Sequence, residues 1–186
     1  LLRQQKDGEE CLSLSDFVKP CGTDYVGAFA VTAGRGIEEI ISGYQQTDDF
    51  KALLYQSLSD RLAEAAVELL HARVRREVWG YAPDERIDRQ RALRAQYRGI
   101  RPAAGYPSLP DQSAIFAIEK IVGFANVGIA VTPNGAMSPA SSVSGLMIAH
   151  PASRYFMIGA IAPDQRRDYA ARRGITEEEL SNWLPK

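Results

Sequence analysis

One stretch of the chain gathers the residue types of a small-molecule site: Arg101-Pro102-Ala103-Ala104-Gly105-Tyr106-Pro107, continued by Ser108-Leu109-Pro110-Asp111. Arg101 brings a planar, permanently charged fork that fits a carboxylate or a phosphate. Gly105 has no Cβ, so a ligand or a second backbone can come close, and Tyr106 adds an aromatic face. The prolines fix their own φ at about −65° and bias the residues before them toward extended geometry. The loop is therefore stiff. A stiff loop that joins a cation to an aromatic suits the binding of a small anion; the same composition also serves a plain connector.

No other grouping competes with it. Two histidines, His71 and His150, and two cysteines, Cys11 and Cys21, cannot build a metal-ligand set by their spacing. Gly34-Arg35-Gly36 lacks the third glycine of a dinucleotide fingerprint, having Glu39 there, and no Walker lysine follows. Ser141, Ser142 and Ser144 read as hydroxyls at a strand end, and His150, before Pro151, as a turn residue. Arg61, Glu64, Glu68, His71 and Arg75 recur at helical spacing. Such a line is ordinarily a solvated face held by i,i+4 pairs worth about 0.2–0.5 kcal/mol each.

The elements that must position the loop are legible from periodicity. Residues 13–18 and 24–31 are predicted as strands, as are 140–149 and 155–161, the last two joined into an antiparallel hairpin by 150–154. A helical tract follows Gly36. From about 50 to 79 a long helix is predicted, with Leu54, Leu58, Leu62, Ala65 and Leu69 as its core stripe. Shorter helices are expected over 87–97, over 113–124 with Asp111 as cap, over 164–173 ended by Gly174, and over 176–184 behind a Thr176/Glu179 capping box. Strands at both ends of a helical middle give an α+β fold with an antiparallel sheet flanked by helices.

Composition narrows the class further. Of 186 residues 45% are apolar, and 22 Lys plus Arg balance 23 Asp plus Glu. No basic surplus is present to neutralise nucleic-acid or lipid phosphates, and no apolar run is long enough to span a bilayer, so neither partner is expected. No signal peptide is visible and the cysteines are sparse, which favours a reducing, cytoplasmic setting. Residues 1–186 are read as a single domain, or most of one. Leu1-Leu2-Arg3-Gln4-Gln5 reads as the end of a helix, so the chain is expected to be cut from something larger.

Taken together, six segments resemble the C-terminal activation domain of cobalamin-dependent methionine synthase. They are Asp24-Tyr25-Val26-Gly27-Ala28-Phe29-Ala30-Val31, Asp60-Arg61-Leu62-Ala63-Glu64-Ala65, Trp79-Gly80-Tyr81, Gly99-Ile100 with the loop to Pro107, Ser142-Val143-Ser144-Gly145, and Asp164-Gln165 with Asp168-Tyr169. They stand in the family's order and cover essentially the whole chain. The resemblance implies a helmet-shaped α+β fold that binds S-adenosylmethionine (AdoMet) and is unrelated to the doubly wound methyltransferases. It also implies membership of a 5-methyltetrahydrofolate–homocysteine S-methyltransferase, whose cobalamin is carried by another domain of the same enzyme. Domains of this family act once that cobalamin has been oxidised to cob(II)alamin. Flavodoxin or a related flavoprotein reductase supplies an electron, and AdoMet methylates the reduced cobalamin.

Carried over position by position, the resemblance places AdoMet on Arg101, Gly105 and Tyr106, with Ala103 in the backbone cradle between them. It makes Tyr155-Phe156 the neighbouring aromatic pair and Glu64 the helix acid near AdoMet and the corrin. It implies no catalytic side chain and no protein-bound metal, because the reduced corrin is itself the nucleophile and the protein only has to hold the methyl donor in line. Two departures stand out. Gln112 follows Pro110-Asp111 where family members often have histidine, so a role requiring an imidazole is in doubt. The family domain is also longer at its N-terminus, where an aspartate helps hold AdoMet, so the 186 residues alone are expected to be inactive. A non-enzymatic module that docks a corrinoid or flavodoxin partner without binding AdoMet is the alternative.

Overall fold

The structure is a computed structural model and describes residues 1–185. The chain divides into two compact units, residues 1–27, 98–115 and 145–186 in the first and 28–97 with 116–144 in the second.

The second unit is built around a long helix. Strand β1 (Gly27–Thr32) leads to α1 (Ile37–Gln45) and then α2 (Asp49–Arg73). Asp48 caps α2 by accepting the Lys51 N–H at 3.0 Å, which satisfies one of the orphan donors of its first turn. Tyr44 of α1 stacks on Tyr55 of α2 at 5.5 Å between ring centroids. The buried face of α2 is Ala52, Ser59, Ala63, Val67 and His71. Ser59 donates to the Ala33 carbonyl at 3.0 Å, and Asp60 accepts from the Ser141 hydroxyl at 2.6 Å, so the helix is tied to the strand ends by short polar residues. Strand β4 (Ser142–Met147) pairs with β1. Helix α3 (Arg89–Leu93), most of α4 (Ala114–Val122) and a small antiparallel hairpin complete the unit. The hairpin pairs β2 (Ala130–Val131) with β3 (Met137–Ser138), Ala130 opposite Ser138 and Val131 opposite Met137.

The leucine stripe predicted as core is the exposed side of α2: Leu54, Leu58, Leu62, Ala65 and Leu69 all face outward. Large apolar residues dominate a periodicity argument, whereas it is the small side chains on the opposite face that permit close packing. The line read as solvated is corrected as well. Arg61 and Glu64 are exposed, but His71 and Arg75 are buried. His71 meets the Tyr81 hydroxyl at 3.2 Å and the edge of Tyr97. Arg75 binds Glu85 at 2.6 Å and lies 4.3 Å from the Tyr97 ring centroid. Arg75 lies within a π-helical turn over Val74–Val78 and continues, at i+4 spacing, the buried line of Val67 and His71.

In the first unit two apolar clusters carry the structure. Leu14, Phe17, Ile100, Leu109 and Ile148 form one; Leu2, Ile158, Tyr169, Ala170, Leu180 and Leu184 form the other, and Phe156 packs against both. Residues 13–18 are not a strand. Ser13 and Asp16 make a reciprocal capping box around a 3-10 turn, Leu14–Phe17, which turns Leu14 and Phe17 inward. Residues 155–161 do not form a hairpin with β4 either. Their backbone groups are engaged elsewhere: Ile158 N–H donates to Pro107 O at 2.9 Å, and Met157 O accepts from Gln4 Nε2 at 2.7 Å. Helix α5 (Pro163–Arg173) ends at Gly174, and α6 (Glu177–Ser181) starts from the expected Thr176/Glu179 box.

Candidate functional site

The Arg101 loop begins as a sheet extension. Ile100 and Ile148 exchange both backbone hydrogen bonds at 2.9 Å, Leu146 N–H donates to Pro102 O at 2.9 Å, and Ala103 bridges Gly145 antiparallel. The approach at Gly145 is close. A Cβ there would lie 2.3 Å from Pro102 O and 2.9 Å from Ala103 Cα, so only glycine lets the two backbones meet.

Beyond Ala103 the chain doubles back. Gly105, at φ +81°, makes the turn, its N–H donating to Leu109 O at 2.9 Å while Leu109 N–H returns to Tyr106 O at 2.8 Å. Leu109 is buried in the first cluster, and Pro107 O takes the Ile158 N–H. The Gln112 side chain lies against Gly105, its Oε1 1.9 Å from where a Cβ would be. Gln112 N–H donates to Trp183 O at 3.0 Å.

A buried polar cluster fixes the far end of the loop. Asp111, 1% exposed, accepts from Ser113 N–H at 2.9 Å, Ser113 Oγ at 2.6 Å, the Tyr169 hydroxyl at 2.7 Å and Arg173 Nη1. Arg173 Nη2 closes the ring by donating to Ser113 Oγ at 2.9 Å. Four donors on one carboxylate leave no lone pair to solvent, which is what such burial requires. Burial, with Asp111 beside it, pushes the Tyr169 phenol up to about 12. Burial works against the charge on Arg173, yet Tyr169 and Asp111 together hold its pKa above the ordinary value.

On this base stand the residues singled out from sequence. Arg101 is half-buried and its backbone N–H donates to the Tyr155 hydroxyl at 3.0 Å, while Tyr155 and Tyr106 remain 43% and 55% exposed. Arg101, Ala103, Gly105, Tyr106 and Tyr155 are thus gathered on one loop and the segment bonded to it. Ala103 is buried, so what it offers is backbone. Phe156 turns inward, edge-on to Phe17 with centroids 6.3 Å apart. Glu64 stands exposed on α2, in the second unit. Sequence reasoning missed the Asp111–Tyr169–Arg173 cluster and the close approach at Gly145. Asp111 was readable as a cap, but nothing local announces a partner some sixty residues on.

Chemically, the arrangement offers a guanidinium, two phenol faces and a backbone held on both sides, and no nucleophile–base pair among these residues. Among the described residues no group of His, Cys, Asp and Glu could hold a metal ion, and no helix is long and apolar enough to cross a membrane.

The site is thus a clamped Arg-x-x-x-Gly-Tyr loop set among small antiparallel sheets and helices. Residues 1–174 match the family model described as the vitamin B12 dependent methionine synthase activation domain, and the chain belongs to that family. It is also similar to a crystal structure of the MetH reactivation domain bound to AdoHcy, at 40% identity and a TM-score of 0.92 over 98% of this chain. The chain spans 58% of the length of that solved relative.

Proposed function

We propose that this chain is the AdoMet-binding part of a reactivation domain in a cobalamin-dependent methionine synthase. The observation that carries the reading is the loop itself: Arg101, Gly105 and Tyr106 on a backbone tied to residues 145–148 and to Tyr155, in a chain 40% identical to a domain with AdoHcy bound. The residues present fit such a ligand. Arg101 would take the amino-acid carboxylate as a charge-assisted hydrogen bond, and the Tyr106 and Tyr155 faces suit a sulfonium. Exposed Gly105 and its neighbours let the ligand lie against main chain. When bound, AdoMet supplies an activated methyl group; this chain's part is to hold it in place and limit its freedom. Glu64 is assigned the side toward the corrin, and Phe156 a supporting role behind Tyr155.

In the same reading the methyl acceptor is a cobalamin on another domain of the polypeptide. The electron donor is flavodoxin or a related flavoprotein, the setting is cytoplasmic, and residues 1–186 are most of one activation domain, inactive without the remainder. Titration calorimetry on the full-length protein with AdoMet and AdoHcy tests this. Arg101→Ala should weaken binding by about 1.5–3 kcal/mol, the range for a hydrogen bond to a charged group. An unchanged dissociation constant in a folded variant removes Arg101 from the site. Absence of binding by the wild-type protein refutes the reading and leaves a corrinoid- or flavodoxin-docking module.

A further inference from the structure

One short segment of the second unit, residues 86–94, concentrates charge of a single sign. It holds Arg86, Arg89, Arg91 and Arg94 against the lone acid Asp88, in a chain whose net charge is −1. All four arginines are exposed, and among the described residues none of them has an ion pair or a side-chain hydrogen bond. Arginines elsewhere are matched: Arg75 with Glu85, Arg172 with Asp168 and Arg173 with Asp111. Asp88 is engaged as the cap of α3, accepting the Arg91 N–H at 2.8 Å. Arg89 to Arg94 span about 8 Å of helix rise, one Debye length at physiological ionic strength, so their fields add. Leu93, 77% exposed, lies between Arg91 and Arg94 in sequence. An exposed aliphatic side chain beside unpaired guanidinium groups has the make-up of a small protein interface, where Arg is enriched and the rim is polar. Further packing within the domain does not complete such a surface, because a buried ion without its own carboxylate is costly.

We propose that Arg86, Arg89, Arg91 and Arg94, with Leu93, form the docking surface for an acidic face of the flavoprotein that supplies the electron. Two considerations select this occupant. In the function proposed above, the electron donor is the partner that is a separate protein and must arrive and leave. Encounters of that kind use small interfaces steered by charge. Positive charge of this density takes an acidic partner, and a protein is favoured over a nucleic acid because the chain as a whole has a pI ≈ 6.2 and no basic surplus. The inference deepens the proposed function and rests on it.

Titration calorimetry of the full-length protein with a purified flavodoxin from the same genome tests it, at about 20 mM and about 300 mM salt, beside a titration with AdoHcy. The variant Arg86→Gln/Arg89→Gln/Arg91→Gln/Arg94→Gln removes the charge and keeps helix propensity, and its AdoHcy affinity reports that it is folded. Should it not fold, the double variants Arg86→Gln/Arg89→Gln and Arg91→Gln/Arg94→Gln take its place. Flavodoxin affinity should fall about tenfold or more at low salt, and by less than about threefold at high salt. A control, Arg35→Gln/Arg167→Gln, removes exposed charges outside the segment and should bind flavodoxin as the wild type does. AdoMet-dependent methylation driven by a chemical reductant, titanium citrate, should be equal in variant and wild type. Equal flavodoxin affinity in variant and wild type overturns the proposal, as does a wild type that binds AdoHcy but no flavodoxin. A loss with the chemical reductant also overturns it, since the arginines then act within the polypeptide. Binding of an RNA oligonucleotide that the same variant abolishes overturns it in favour of a nucleic acid. A wild type that binds neither AdoHcy nor flavodoxin refutes the function proposed above, and this inference with it.

Discussion

Replacing Gly145 by alanine tests whether the site loop is held by backbone contact. Gly145 does not occupy the left-handed region, so alanine meets no φ penalty there and the whole effect is steric. The added methyl would lie 2.3 Å from Pro102 O, 2.9 Å from Ala103 Cα and 3.0 Å from Pro102 C, all main-chain atoms that cannot swing aside as a side chain can. Relief requires the loop to move away, which strains or breaks the Leu146 N–H···O Pro102 bond. Overpacking costs about 1–3 kcal/mol and the lost bond about 0.5–1.5, so a destabilisation of about 2–4 kcal/mol is expected. For a domain of this size that lowers Tm by about 5–15 °C, measurable by scanning calorimetry. Because Arg101 is the residue before Pro102, AdoHcy affinity measured by titration calorimetry should fall as well. An alanine variant with unchanged Tm and unchanged affinity refutes the argument that this contact sets the loop.

The remaining predictions bear on the same loop. Gly105→Ala should cost about 1–2 kcal/mol from its positive φ, and adding Gln112→Ala should recover only the part due to side-chain collision, as read from denaturant midpoints. Asp111→Ala leaves Tyr169 and Arg173 without their acceptor and should cost about 2–3 kcal/mol, less than a fully buried pair because Arg173 is partly exposed. The Tyr169 phenol, raised from 10.0 to about 12, binds its proton more tightly in the folded state. Its stabilisation is therefore intact below pH 10 and lost as pH rises from 10 toward 12. Tyr169→Phe should flatten that alkaline limb of the urea midpoint against pH, and an unchanged limb would show that another group titrates there.

The parts of the fold readable in sequence are those whose cause is local. Gly174 ends α5 and Thr176 with Glu179 opens α6 because each signal and its partner lie within a turn of one another. Arg101, Gly105 and Tyr106 were likewise legible as a stiff loop, since proline and glycine act on their own φ. Readings failed where the deciding contact was distant. Residues 13–18 alternate like a strand, but the Ser13/Asp16 box and the burial of Leu14 and Phe17 make a 3-10 turn. Residues 155–161 have strand composition, but their backbone is claimed by Pro107 and Gln4. For α2 the period was right and the face was wrong, because periodicity cannot say which side of a helix its neighbours pack against.

The distribution of polar residues also bears on how such a site works. In the function proposed, the chain positions a reactive cofactor and has no use for a poised base, and the most buried carboxylate of the first unit, Asp111, points away from solvent into Tyr169, Ser113 and Arg173. Its electrostatics go into holding the loop still rather than into proton transfer. In that reading, methyl transfer along a line of three atoms tolerates little misplacement, and an error of about 1 Å can cost a hundredfold. The loop is correspondingly clamped on three sides: by residues 145–148 along its start, by Ile158 at Pro107, and by the Asp111 cluster at its end. Asp111 and Gly145 therefore support the proposed site, although neither presents a group to a ligand. Their variants should lose stability and affinity together, as read by scanning and titration calorimetry on the same preparation.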